Sequence, residues 1–552
     1  MRDQRSETHE ATLSAAAISA IDVTALLLTM VMLIAVASGS HGAVRILLAL
    51  GFTSFVPGWA LSRRLWPQLD SSRIPLAVVT SLAVAALGAT AMVWLQTWHP
   101  LVWLVGLALG SVGLVTWTLA DALLRALTVG MTAVEPIWVG QVDLSELCDI
   151  PMNEEGTLGY RSARLLVRVH RQPVGFVSVP IEGATITART LRRAIVQQLS
   201  EALQAHLQAR EETRLRGDAQ RTFSYPSQVH LPERLISVII CTRDRSDRLA
   251  ACLEAVQRLR YPWFEVIVVD NAPGSTATAD LLRARFSQDS RVRYVLEPMT
   301  GLSRARNRGV AEARGEIVAF TDDDVLVDPW WLDAIAAGFQ RDSRVACVTG
   351  LVPSARLDSA AEVYFDKRVT WGSSCQPCLF DLDSHRGNHS LYPYAAGLFG
   401  TGANFAFERR FLLTTGGFDE ALGAGSRTRG GEDLDAFVRV IKAGRAIAYE
   451  PAAIGWHMHR AEMKDLRRQM FAYGLGLAAF GTKYLASRKT ALDVLCRVPQ
   501  GVRRAAQVVR RGEPAPAVQP SLALAELLGM AAGPAAYLLA RLDSRRLAPA
   551  RR

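Results

Sequence analysis

Paired cysteines are absent: the chain has seven, an odd number, scattered through segments of cytosolic texture, which argues against a disulfide framework. Cys375 and Cys378 form a lone CxxC without the second ligand pair or strand-helix context that a zinc or redox site needs, so no metal is assigned there. Charge is sparse, at 21% of residues, whereas 50% are hydrophobic, a mixture that suits a soluble domain joined to membrane segments. No Lys/Arg stripe interleaved with aromatics occurs. Despite a formal net charge of +10, nucleic acid is therefore not the expected partner. The Arg runs stand beside apolar segments instead, at Arg63 and Arg64, Arg467 and Arg468, and Arg551 and Arg552, which reads as attraction to a membrane surface.

The 552 residues divide by texture. After a tail of residues 1–20, apolar stretches at 21–38, 43–61, 74–95 and 101–127 each approach the ~20 residues a helix needs to cross a bilayer, so 21–130 is expected to be an all-α transmembrane region. Several spans follow the first and no A-x-A site closes it, which favours retained helices over a cleaved signal. Arg63, Arg64 and Arg73 lie between spans two and three, while the loop at 97–100 has no Lys or Arg. The positive-inside rule then places both termini and everything beyond 130 in the cytoplasm, giving a multi-pass protein of the cell membrane with a cytoplasmic catalytic domain. Residues 131–234 form a connecting region: RLLVRVHRQPVGFVSVP alternates around a turn expected at Gln172 and Pro173, and 190–216 reads as a helix. Residues 461–552 contain two apolar stretches with basic flanks. The second holds Glu526 and Pro534 and is expected to lie as an interfacial or membrane-associated helix rather than as a fifth crossing.

From Ile236 the pattern changes. ISVIICTRDR reads as a buried strand, LAACLEAVQRL as a helix, and FEVIVVDNAPG as a second strand ending at Asp270. That order implies a right-handed crossover and a parallel sheet whose ligands bind beyond the strands' carboxyl ends, where Thr242, Asp244 and Asp270 fall. Asp270 is either an acceptor for a nucleotide's base or ribose hydroxyls or a solvated turn aspartate. EIVAFTDDDV runs apolar residues straight into three carboxylates, a costly concentration of charge unless a cation joins them. Residues two apart share a side of an extended chain, so Asp322 and Asp324 are expected to reach one hard cation, Mg2+ or Mn2+, completed by substrate phosphates. Asp323 then points elsewhere, toward a ribose; an acidic turn is the alternative. In GGEDLDAFVRVIKAG, the spacing of Leu434, Phe437, Val438 and Ile441 predicts a helix starting near Glu432. Its first turn carries Glu432 and Asp433, where capping alone also explains carboxylates. Asp435 and Arg439 are spaced as an i,i+4 pair.

Taken in order, ISVIICTRDR, VIVVDN, GLSRARNRGV, FTDDDV, TGANFAFER, GGFDEALG and GGEDLDAFVR resemble the inverting family 2 glycosyltransferases, over residues 235–460. The resemblance implies an α/β fold, a GT-A type Rossmann-like mixed sheet flanked by helices. It implies a nucleotide-sugar donor, a divalent metal at the Asp322-Asp323-Asp324 motif, Asp270 in the nucleoside pocket and Asn307 on the donor side. On the same grounds Asp433 is the expected general base, Asn404 and Glu432 are expected on the acceptor side, and His457 is expected as a metal or phosphate ligand. His459 is a weaker candidate of the same kind, Arg460 a charge for the leaving diphosphate, and 417–431 a Gly-rich loop able to order over the donor. Trp330 and Trp331 either stack on a sugar or plug the fold. The acceptor is expected to be a lipid-linked or cell-envelope glycan, since the domain lies near a bilayer. A processive polysaccharide synthase is the first alternative, but no QxxRW occurs and the apolar spans precede the domain. A sugar-nucleotide nucleotidyltransferase would open on a Gly-rich phosphate loop, whose glycines CTRDRSDR does not have. A non-catalytic scaffold is the remaining alternative.

Overall fold

The structure, a computed structural model, describes residues 135–152, 159–215, 233–494 apart from 370, 371, 388 and 488, then 496–497 and 519–547, with scattered positions between 29 and 111. The chain forms two units, Met1–Met131 with Val502–Ser521 and Thr132–Gly501 with Leu522–Arg552. In the first, the described positions between 29 and 111 are helical and Gly58 N–H donates to Ser81 Oγ at 2.6 Å. Otherwise the four expected spans lie outside the described residues. Among the described residues one helix, Ser521–Asp543, is long and apolar enough to cross a membrane.

Among the described residues the second unit has, besides a two-stranded pair, Ile150–Pro151 with Thr185–Ile186, two larger sheets. The N-terminal one has the order β1-β2-β3, from strands Ile137–Asp143, Ser162–Val169 and Gln172–Pro180, with helix α1 (Ala188–Leu215) against it. The turn between β2 and β3 is His170-Arg171, both with positive φ, and not Gln172-Pro173. Two left-handed residues give the backbone twist a two-residue hairpin requires, and Pro173 sits inside β3 at a register shift, where a missing N–H costs least.

The larger sheet has nine strands. Its parallel core comprises β4 (Ile236–Thr242), β5 (Phe264–Asn271), β6 (Val292–Glu297) and β7 (Ile317–Asp322). The short β8 (Val325–Val327), then β9 (Val345–Leu351), β10 (Cys378–Phe380), β11 (Asn404–Glu408) and β12 (Ala446–His457) complete it. The order is β8-β12-β9-β11-β7-β4-β5-β6, with β10 paired to β12. Antiparallel β11 between β7 and β9 makes the sheet mixed. β4 and β5 are apolar runs because helices cover both faces, so side chains of either parity are buried. Around the sheet lie α2 (Ser246–Gln257), α3 (Leu302–Glu312), α4 (Trp331–Gln340), α5 (Ala360–Arg368) and α6 (Glu432–Lys442). After β12 come α7 (Met463–Leu485) and α8 (Pro520–Leu547).

The N-terminal sheet is docked on the larger one. Leu166 and Phe176 pack with Leu351, Ile454 and Trp456. The buried Arg168 donates to the buried Asp328 at 2.7 Å, and Arg171 stacks over Trp330 at 3.6 Å. Trp330 is thus held by the N-terminal sheet, while Trp331 is fully buried in the core.

Candidate active site

The carboxyl ends of β4, β7 and β12 and the start of α7 enclose a cavity of about 420 Å3. Thr242, Asp322, Asp323, Asp324, His457, His459 and Arg460 line it, with Arg243, Arg245, Gln469 and Tyr473. β7 ends at Asp322, and Asp323 and Asp324 form the turn into β8, so the two-residue alternation expected of an extended chain stops at Asp322. Asp322 leans on Arg306 Nη2 at 3.4 Å. Asp323 accepts from Thr242 Oγ1 at 2.7 Å and from Arg245 Nη1 at 3.2 Å. Asp324 meets His457 Nε2 at 3.2 Å and Arg248 Nη1 at 3.1 Å, with Arg460 at 3.8 Å. β8 pairs with the end of β12, Val325 opposite His457, and that pairing brings the histidine to the acids.

These environments split the three carboxyls. Burial pushes Asp322 up to about 6 against the pull of Arg306, and burial also raises Asp323. Asp324 is buried as well, yet its bond to His457 and the charges of His457, Arg460 and Arg245 hold it well below the carboxylate range.

A second group of acids stands beside the cavity. Gly431, at φ 90, starts α6, and the first turn carries Glu432, Asp433 and Asp435. Glu432 makes no cap; it accepts from Arg306 Nη1 at 2.8 Å, and burial pushes its carboxyl up. Arg306, 2% exposed, also donates to Gly402 O at 2.8 Å and so ties the start of α6 to Asp322. Asp433 accepts from Gly402 N–H at 2.7 Å and from Leu434 N–H at 2.8 Å, bonds that fix its carboxylate on the loop before β11. It does not line the cavity itself. Asp435 forms its pair with Arg439 at 3.0 Å and a second with Lys483 at 2.7 Å.

Asn404, Asn307, Asp244 and Asp270 stand apart from the cavity. Asn404 is buried in the core: its Oδ1 accepts from Trp331 Nε1, and its Nδ2 donates to Leu351 O and Ala453 O, so the amide is spent on holding strands together. Asn307 uses both ends of its amide on Phe418, clamping the loop that follows. Asp244, at φ 53, accepts from Gly274 N–H at 2.8 Å. Asp270, next to last in β5, is 1% exposed; Oδ2 accepts from Tyr294 and Oδ1 has no partner. The Gly-rich loop is tethered, Ala424 O accepting from Leu302 N–H and Leu422 O from Ser303 Oγ, and its Ala424 and Gly425 line the cavity.

Sequence reasoning missed Arg245, Arg248, Arg306, Gln469 and Tyr473. The signal for the first two was present, as Arg residues clustered after one strand end face an acidic strand end. Arg306 sits on the core face of α3, where a guanidinium is unexpected unless carboxylates meet it.

Over residues 237–383 the chain matches the family described as Glycosyl transferase family 2. The chain carries a family 2 glycosyltransferase domain. The mixed α/β sheet around the family 2 domain agrees with the expected GT-A architecture. The chain is 25% identical over 252 residues to the pre-mycofactocin glycosyltransferase of Mycobacterium tuberculosis, which covers 46% of this chain and 48% of that relative. It is 30% identical over 233 residues to the succinoglycan biosynthesis protein ExoM of Rhizobium meliloti, covering 40% and 65%. The chain thus spans about half the length of curated relatives it matches. Among solved structures it is similar to the mannosyltransferase PcManGT of Pyrobaculum calidifontis in complex with GDP-Man and Mn2+, at 19% identity and a TM-score of 0.35, covering 62% of this chain and 96% of that one.

Proposed function

We propose that the protein transfers a sugar from a nucleotide-sugar donor to a hydroxyl acceptor, with inversion at the anomeric carbon. One observation carries this reading: Arg306 joins Asp322, which lines the cavity, to Glu432, next to Asp433, so one buried guanidinium ties a donor-side acid to the turn that carries the base candidate. Arg245, Arg248 and Arg460 surround Asp323 and Asp324, and guanidiniums in that number suit the phosphates of a nucleoside diphosphate. Asp270, with one buried oxygen unpaired, suits a base or ribose donor group.

We propose that a hard divalent cation binds at Asp322, Asp324 and His457. Asp322 keeps a third of its side chain exposed to the cavity, and Asp324 and His457 add oxygen and nitrogen donors. Among the described residues no group of three or more His, Cys, Asp or Glu side chains is arranged to hold a metal ion, so oxygens of a bound diphosphate would have to supply the rest of the shell. A bound Mg2+ or Mn2+ would stabilise charge on the departing diphosphate. The protein's own part is to neutralise the phosphates with Arg245, Arg248 and Arg460 and to take the acceptor's hydroxyl proton at Asp433. Two backbone N–H bonds orient the Asp433 carboxylate.

We place the protein at a membrane, with a lipid-linked or cell-envelope glycan as acceptor; the basic flanks and apolar N-terminal stretches support this. The test of the mechanism is Asp433→Asn, with transfer expected to fall on the order of 100-fold or more while nucleoside diphosphate still binds. Retained transfer by a folded variant would remove the base assignment.

A further inference from the structure

One wall of the cavity holds two buried hydrogen-bond acceptors that the protein leaves unpaired, Nδ1 of His459 and Oε1 of Gln469. His459 is 6% exposed, and its polarity is fixed from behind. Arg164 of β2 pairs with Asp366 Oδ2 on α5, and Asp366 Oδ1 accepts from Ser354 Oγ at 2.7 Å. The Ser354 hydrogen is thereby used, so its oxygen accepts from His459 Nε2–H at 2.9 Å. The ring proton lies on Nε2, which makes Nδ1 an acceptor. Gln469 spends its Nε2 on Tyr473 Oη at 3.0 Å, leaving Oε1 as an acceptor and the phenolic hydrogen without an acceptor among the described residues. Phe365 packs against both the His459 and Tyr473 rings, at 4.6 and 6.0 Å between centroids.

Two acceptors and one donor on a wall backed by an aromatic ring call for a ligand rich in hydroxyls. A phosphate cannot satisfy them, since it would set oxygen lone pairs against two acceptors; the arginines around Asp323 and Asp324 already supply the cationic side. We propose that His459, Gln469 and Tyr473 form a hydroxyl-binding subsite for a sugar ring, with Ser354 and Arg164 as positioning residues that set its polarity. The inference rests on the nucleotide-sugar reading above. It also gives the N-terminal sheet a task, because Arg164 reaches the site only while that sheet is docked.

The hydroxyls can come from the donor's sugar or from an acceptor sugar, and two measurements separate these. Calorimetric titration of the full chain in Mn2+ compares UDP-glucose and GDP-mannose with UDP and GDP. Turnover with octyl β-D-glucopyranoside supplies a hydroxyl acceptor of known structure. In Gln469→Leu, Tyr473→Phe and Ser354→Ala, a donor-side subsite lowers the ratio of nucleotide-sugar to nucleoside diphosphate affinity roughly tenfold. An acceptor-side subsite keeps that ratio and raises the KM for the octyl glucoside roughly tenfold; each change corresponds to losing about one hydrogen bond. Tyr473→Phe removes one hydroxyl only and so guards against a variant that fails to fold. An unchanged ratio and an unchanged KM in folded Gln469→Leu and Tyr473→Phe would overturn the subsite alone. A wild-type chain that binds no nucleotide at all would remove the functional reading and the subsite with it.

Discussion

Asp333 has no part in the site, yet it sets a measurable pH dependence. It is 7% exposed, its Oδ2 has no hydrogen-bond partner, and burial pushes its carboxyl up from 3.8 to about 6. The folded chain therefore keeps a proton that the unfolded chain has lost, so the contribution of Asp333 to stability is greatest below about 3.8 and is lost as pH rises through about 6. Asp333→Asn should stabilise the protein by up to about 3 kcal/mol at pH 7 and by little at pH 4, read as the shift in thermal midpoint at the two pH values. An equal shift at both would contradict the assignment. Arg306 acts in the opposite way: Arg306→Met leaves Glu432 and Asp322 without their buried cation and should destabilise by about 3–5 kcal/mol. A loss under 1 kcal/mol, in denaturant titration, would mean the pairing contributes little. At this scale the acids were legible because three carboxylates at a strand end are rare without a partner. The partners were not, since Arg306 lies on another helix and only the fold brings it to Asp322. Asn404 was misread for a related reason: a polar residue in a loop-like motif looks available, and only the packing shows Trp331 using it.

Among the elements, the hairpin and the C-terminal helices carry distinct consequences. Alternation predicted strands in 164–180, but the turn lies at His170-Arg171 because two left-handed residues match strand twist better than a proline turn. Arg168 then lies on the hairpin's inner face against Asp328. Arg168→Met leaves a buried carboxylate unpaired and should cost about 3–5 kcal/mol, and Asp328→Asn in the same chain should recover much of it. Thermal midpoints of the single and double variants decide; no recovery would mean the arginine acts through shape rather than charge. α7 and α8 approach so closely that a Cβ at Gly529 would meet Phe471 O at 2.1 Å, and one at Gly474 would meet Glu526 O at 1.9 Å. Gly529→Val should therefore push α8 away, exposing Leu522 and Ala525, and limited proteolysis should cut the variant's C-terminal segment faster than the wild type's. Equal cleavage would show that α8 yields without leaving.

For the whole molecule, the order of motifs was readable because each sits at a strand end or helix start, whereas the docking of residues 137–215 was not. Its partners, Asp328, Trp330 and Asp366, are distant in sequence and carry no motif of their own. The multi-pass reading rests on stretches outside the described residues, and within them Ser521–Asp543 alone has the length and apolarity of a span. Removing divalent metal with a chelator should abolish transfer and added Mn2+ should restore it; full activity in excess chelator would exclude the cation at Asp322 and Asp324. The most direct test is a panel of nucleotide sugars given to the purified chain with Mn2+, reading release of nucleoside diphosphate. At least one donor should be turned over by the wild type, and Asp322→Asn and Asp433→Asn, both folded, should lose that turnover. Turnover unchanged in both variants, or none with any donor, would contradict it.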